Sequence, residues 1–306
     1  MKVIGFDHVG GPDVFEERTV DTPQPAADEL LVKVIAIGLN NRERAERAGE
    51  FGPISGFTVT GRDIVGTVES VGPNVKDFTP GEVVASHVEN GYAEYVVAQP
   101  SATTPVPSGI MPTTAAALIT PGITAYRAIT TFAHVTAGQT VIVKGASGGV
   151  GALALQMAVD RGAHVIAIAH SRNEAAVTAL GASEFVAYDQ LTPSSVLADR
   201  ADVLINAAMN GAGSDDDIVM TKPGGVIATV AHNTPPANKQ VTINHIHPSS
   251  TPTDAEALAV IMDLLKDGKL AINITSQLPF SATGLKQGNE ILEQSHDGRV
   301  VILMDR

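Results

Sequence analysis

The chain has 306 residues, of which 44% are hydrophobic and 17% charged, the composition of an ordinary globular protein long enough for two domains. Its formal net charge of -13 excludes the basic footprint that a nucleic-acid partner requires. There is no cysteine, so disulfides and thiolate metal sites are excluded as well.

The N-terminus, MKVIGFDHVGG, has no long apolar run behind a basic segment, so no signal peptide is expected. No stretch approaches about 18 uninterrupted apolar residues, and a soluble, cytoplasmic protein is the expectation. Early in the chain, short runs at residues 30–37, 64–71, 82–85 and 92–97 alternate with Gly and Pro clusters. That punctuation suits a small barrel or meander. Arg42, Arg44 and Arg47 alternate with acids, a pattern more often a solvated face than a site. The apolar stretch 115–133 reads as helix, broken near Pro121-Gly122.

From residue 140 the pattern changes. Strands are expected at 140–144, 164–169, 184–188, 202–206, 225–231 and 241–245, with helices at 150–161, 173–180 and 215–221 between them. Alternating strands and helices imply a doubly wound parallel sheet, an α/β Rossmann domain. A helix at 253–266 carries Ala257, Leu258, Ile261, Leu264 and Leu265 on one face, and a strand-like tail at 298–303 ends the chain.

The strongest chemical signal is the turn Gly145, Ala146, Ser147, Gly148, Gly149, Val150 and Gly151 between a buried strand and a helix. Glycine lets the backbone approach a pyrophosphate, and the helix start supplies free N–H groups and the positive dipole end. The second strand then ends in His170, Ser171 and Arg172, with no acid before Glu174. An NAD site usually places an acid there to read the ribose hydroxyls. Ser171 and Arg172 instead offer a donor and a cation to a 2′-phosphate, which favours NADP(H).

GASGGVG after a strand, the N-terminal GGPDV, VTGRDIVGTVESVGPNV followed by PGEVV, and KPGGVIATVA together resemble the medium-chain dehydrogenase/reductase superfamily. The similarity runs nearly end to end and is to the zinc-free quinone oxidoreductase branch, the zeta-crystallin type. It implies a GroES-like, partly open β-barrel catalytic domain (1–113 and 250–306) interrupted by a Rossmann NADP(H)-binding domain (114–249). In zinc-dependent relatives the catalytic metal is held by Cys, His and Cys, at positions that correspond here to Asn40, Arg62 and Thr120. None of these is a usual zinc ligand, and the nine histidines show no His-x-x-x-His spacing, so no metal is expected.

The resemblance further implies that Asn40 lies beside substrate and nicotinamide, that Thr124 lies near the ring, and that Tyr188 approaches the adenosine 2′-phosphate. Relatives carry a tyrosine-containing segment after the Asn40 position, where this chain has Asn41-Arg42-Glu43-Arg44-Ala45-Glu46-Arg47. With Arg62 in place of a smaller residue, a narrower or more polar pocket is expected. The implied activity is NADPH-dependent reduction of a quinone or α,β-unsaturated carbonyl. A reductase of another small carbonyl or acyl substrate, and a non-catalytic NADPH-binding role of the crystallin kind, stay open as alternatives. A homodimer joined through the edge strand 241–245 is implied too.

Overall fold

The computed structural model describes residues 1–231, 239–294 and 298–304. The N-terminal part supplies β1 (Lys2–Phe6), β2 (Glu16–Thr19), β3 (Leu30–Gly38), α1 (Asn41–Ala48), β4 (Thr58–Val59), β5 (Asp63–Val71), β6 (Val83–His87), β7 (Tyr95–Ala98) and β8 (Thr103–Pro105). Helix α2 (Pro112–Arg127) follows, then β9 (Thr140–Lys144), α3 (Gly149–Asp160), β10 (His164–Ala169), α4 (Glu174–Ala179) and β11 (Glu184–Ala187). After these come α5 (Ser194–Leu197), β12 (Ala201–Asn206), α6 (Ser214–Met220), β13 (Thr221–Thr229) and β14 (Thr242–His245). The chain closes with α7 (Asp254–Lys266), β15 (Ile274–Pro279), α8 (Ala282–Glu293) and β16 (Arg299–Leu303).

Two compact units result. The first is Met1–Thr120, Thr253–Lys266 and Ile272–Arg306; the second is Pro121–Pro252 and Asp267–Ala271. The boundaries expected from the sequence, 113/114 and 249/250, lie a few residues before these divisions, the first of them in the opening turn of α2. The short return 267–271 also belongs to the second unit, where Ala271 exchanges two hydrogen bonds with Gln156 of α3.

In the second unit a six-stranded sheet runs in the order β11-β10-β9-β12-β13-β14, and every neighbouring pair is parallel. Parallel strands covered on both faces read as continuous apolar runs, and HVIAIA in β10 is such a run. Ile142, Ile166, Leu204 and Ile227 are removed from solvent along the sheet. Burial of each contributes about 1.5–3 kcal/mol.

In the first unit β3 is the organising strand. One of its edges pairs with β5 along its length, while the other is shared by β7 at Leu30–Lys33 and by β16 at Ala36–Gly38. The sheet runs β15-β16-β3-β5-β6-β8 without closing, beside a smaller antiparallel sheet β2-β1-β4. Phe6, Ile37, Ile64, Val84 and Val300 join both sheets in one core. The final strand of the chain thus completes a sheet begun in its first third.

Two expectations are corrected, and one helix is added. Helix α2 continues through Pro121, where a break was expected. Proline lacks the N–H that would reach the carbonyl of Ala117, and Arg299 Nε donates to that oxygen instead at 3.1 Å. The segment 41–48, read as a solvated face, is helix α1 with Glu43 and Arg47 almost wholly buried. Its Arg47 guanidinium donates to the carbonyl of Gly10 and to Glu293, so ion pairs replace the apolar stripe. Helix α8 was not anticipated, although Ser281 caps it by accepting from the Gly284 N–H at 3.0 Å.

Candidate functional site

Two groups of side chains carry the chemistry, one in each unit. In the first unit the loop between β3 and α1 delivers Asn40 as the N-cap of α1, with extended backbone and 5% exposure. Its side chain does not cap the helix. Asn40 Nδ2 donates to Asp63 Oδ2 at 3.0 Å, and Arg299 Nη2 donates to Asn40 Oδ1 at 2.6 Å. An acceptor on one side and a donor on the other fix which end of the amide is which. The second Nδ2 hydrogen is left over.

Asp63 is completely buried and holds the group together. It accepts from the Thr120 N–H at 2.9 Å and from Thr120 Oγ1 at 2.5 Å, besides Asn40. Two of the positions that hold zinc ligands in metal-dependent relatives, Asn40 and Thr120, therefore both bond to one carboxylate. The third, Arg62, donates to Glu46 at 2.8 and 3.0 Å and to Glu43 at 3.2 Å, and lies 3.4 Å from Glu89. An amide, a hydroxyl and a guanidinium around an occupied carboxylate do not suit Zn²⁺. Among the described residues no cluster of three His, Cys, Asp or Glu could hold a metal ion.

Glu43 stands in the same network. Burial, followed by the charge of Asp63, pushes its carboxyl up to about 7 against the pull of Arg62. Arg62 cannot hold it lower because its guanidinium is shared with Glu46 and Glu89. Glu43 Oε2 has no hydrogen-bond partner.

In the second unit β9 ends at Lys144 and feeds the turn 145–151 into α3. Gly145 has φ +71°, and its N–H, with that of Ala146, bonds to Ile168 O of β10. Gly148 is the N-cap of α3, and no side chain caps that end. The N–H groups of Gly149, Val150 and Gly151 lie in the first turn, where an α-helix provides no internal acceptor. A Cβ on Gly148 would meet only Gly145 O, at 3.3 Å, so the space above it is open. Uncapped donors under open space fit a pyrophosphate.

The structure brings Ser171, Arg172 and Tyr188 together at the ends of β10 and β11. The Arg172 N–H donates to His170 Nδ1 at 3.3 Å, and the His170 ring meets Tyr188 edge-on at 5.8 Å between centroids. Thr124, half-buried on α2, belongs to this second unit, whereas Asn40 belongs to the first.

Several residues of these groups escaped the sequence reading. Asp63 and Arg299 flank Asn40, and Asp189 holds Ser171. Lys144 Nζ bonds to Gly213 O at 2.6 Å and to Asp217, whose other oxygen accepts from Asn206 Nδ2 at 2.7 Å. This buried set ties the loop after β12 to the end of β9, next to the turn. A lysine ending an otherwise apolar strand was the available signal.

Residues 26–108 match the model of the alcohol dehydrogenase GroES-like domain, and residues 149–252 that of the zinc-binding dehydrogenases. The chain is 30% identical to the quinone oxidoreductase of Pongo abelii over 99% of its own length and 98% of that protein's. It is 31% identical to the chloroplast envelope quinone oxidoreductase homolog of Arabidopsis thaliana over 89% of each chain. The solved quinone oxidoreductase of Coxiella burnetii superimposes with a TM-score of 0.89, covers 100% of this chain and 99% of its own, and is 28% identical.

Proposed function

The chain belongs to the zeta-crystallin-like, quinone oxidoreductase branch of the medium-chain dehydrogenase/reductase superfamily, and from that premise we propose that it is an NADPH-dependent reductase of quinones or α,β-unsaturated carbonyls that works without zinc. The observation that carries this reading is the turn 145–151, which opens an uncapped helix from the central strand of a parallel sheet. Bound NADPH supplies a hydride. The N–H groups of Gly149, Val150 and Gly151 bind the pyrophosphate, Arg172 and Tyr188 address the 2′-phosphate, and Thr124 lies by the nicotinamide.

The substrate carbonyl gains negative charge as hydride arrives, and a fixed donor stabilises that charge. Asn40 supplies it through the Nδ2 hydrogen that Asp63 leaves over, and the bonds to Asp63 and Arg299 hold the amide so that no reorientation is needed during the reaction. Asp63 and Arg299 act as positioning residues. Water completes the protonation of a quinone. We further place the enzyme in the cytoplasm as a homodimer; among the described residues β14 lies at the end of its sheet and pairs only with β13, which supports pairing of two copies along it.

Oxidation of NADPH, followed optically against a panel of quinones and enones, tests the reading. Turnover on members of that panel is expected. Tight NADPH binding with turnover on none of them would instead support the non-catalytic alternative.

A further inference from the structure

The adenosine end of the second unit contains an acid that the dinucleotide reading does not use. Asp189 follows Tyr188 just beyond β11, which is parallel to β10 with Ala169 opposite Ala187. The Ser171 N–H donates to Asp189 Oδ1 at 2.7 Å, and Ser171 Oγ donates to Asp189 Oδ2 at 2.7 Å. A hydroxyl owns one hydrogen. With that hydrogen given to Asp189, Ser171 offers only lone pairs to a ligand, the reverse of the donor that a phosphate requires.

The neighbouring groups are the His170 ring, whose Nδ1 lies 3.6 Å from Asp189, and the cationic Arg172. His170 Nδ1 also accepts from the Arg172 N–H. The bonds from Ser171 hold the Asp189 carboxyl below its ordinary range, so it stays ionised at neutral pH. The site thus presents a cation from one residue and a fixed carboxylate, with an acceptor hydroxyl, from two others.

We infer that Asp189, with Ser171 locked to it, is a specificity-determining residue for the 2′ position of the adenosine ribose, where it opposes a phosphate and accepts from a hydroxyl. Arg172 and Asp189 therefore act on the same substituent in opposite senses, and the enzyme takes NADH alongside NADPH. An acid reads a ribose hydroxyl in dinucleotide sites generally; here it arrives from the end of β11, the third strand of the second unit in chain order, not from the end of the second, β10. The inference rests on the dinucleotide reading of the turn 145–151.

The test compares dissociation constants for NADPH and NADH, from the change in nicotinamide fluorescence, in the wild type, Asp189→Asn and Arg172→Ala. Asparagine keeps an acceptor for the Ser171 N–H and removes the charge, so the melting temperature should stay close to wild type. Asp189→Asn should shift the NADPH/NADH affinity ratio about tenfold toward NADPH, the scale of one charge removed beside a phosphate in a partly exposed site. Arg172→Ala should move the same ratio the other way. A ratio that Asp189→Asn leaves unmoved, while both dinucleotides still bind, overturns the inference and shows that Asp189 only caps the Ser171 turn. A wild-type chain that binds neither dinucleotide overturns this inference and the cofactor reading together.

Discussion

Asn40 shows how a residue found by resemblance acquires physical content from its neighbours. The sequence reading reached it through the position it shares with a zinc ligand, but no local pattern announces Arg299, which lies 259 residues away and meets the amide only after folding. Removing the Asn40 side chain leaves the buried Asp63 and Arg299 each short of a partner, a loss of about 1–3 kcal/mol. Asn40→Ala should therefore lower the melting temperature, and it should also lower turnover per folded molecule because the donor to the carbonyl oxygen is gone. Turnover that survives correction for the folded fraction would leave Asn40 a purely structural residue. Glu43 gives a second prediction, with a definite sign. Its folded-state carboxyl titrates near 7 against 4.5 in the ordinary state, so the folded chain favours the protonated form. The stability that this contributes is fully present below about pH 4.5 and is lost as pH rises through about 7. Glu43→Gln keeps an acceptor for Arg62 and removes the charge. Between pH 5 and 8 the variant should gain about 3 kcal/mol relative to wild type, the shift converted at 1.36 kcal/mol per pH unit. Chemical denaturation at both pH values measures it, and parallel curves would place the Glu43 charge outside the stability balance.

At the scale of elements, legibility followed the source of stability. The central strands β9 and β10 are nearly all apolar, and both were read to the residue, at 140–144 and 164–169, whereas β13 begins at Thr221, four residues before the expected 225, because its first half, TKPGG, carries no apolar run. Helix α1, NRERAERA, escaped because its buried face is made of ion pairs, so no hydrophobic period exists to be read. Helix α8 did carry signals: Ser281 as cap, and Leu285 and Leu292 seven residues apart on the buried side. The glycine turn was read correctly as an element, but the structure separates roles within it that the motif merges. A Cβ on Gly151 would stand 2.1 Å from Gly145 O, and one on Gly145 would need φ +71° and meet Ala208 N at 2.9 Å. Those two glycines are required by the fold. Gly148→Val, by contrast, presses in the chain alone only on Gly145 O, 3.3 Å from the added Cβ, which a shift of a few tenths of an ångström relieves, and would intrude mainly on a bound pyrophosphate. The variant should melt near the wild-type temperature and bind neither NADPH nor NADH in a fluorescence titration, whereas Gly151→Val should be destabilised before any ligand is added. Normal NADPH binding by Gly148→Val would move the pyrophosphate away from this turn.

The whole chain leaves its first unit in α2 and returns to it at residue 253, so that β16 pairs with β3 across most of the sequence. That return was legible only through resemblance, since pairing between distant strands has no local signature. The chain-wide absence of cysteine, in contrast, is plain from composition and bears directly on the chemistry. A zinc-dependent hydride transfer needs three protein ligands and an open position on the metal. Here two of the corresponding positions, Asn40 and Thr120, bond to Asp63, and the third carries the Arg62 guanidinium, which repels a cation. Asp63 itself accepts three hydrogen bonds, and drawing it onto a metal would strand Asn40 and Thr120. The energetic balance of the site is thus already closed by protein donors. Dialysis against a strong chelator should leave the rate of NADPH oxidation and the melting temperature unchanged, and added Zn²⁺ should not raise either. Asp63→Asn removes the carboxylate that accepts from Asn40 and Thr120, and should cost about 1–3 kcal/mol, the range for leaving a buried donor without its partner. Stoichiometric zinc in the purified protein, with activity that disappears on its removal and returns on its addition, would sink the metal-free reading.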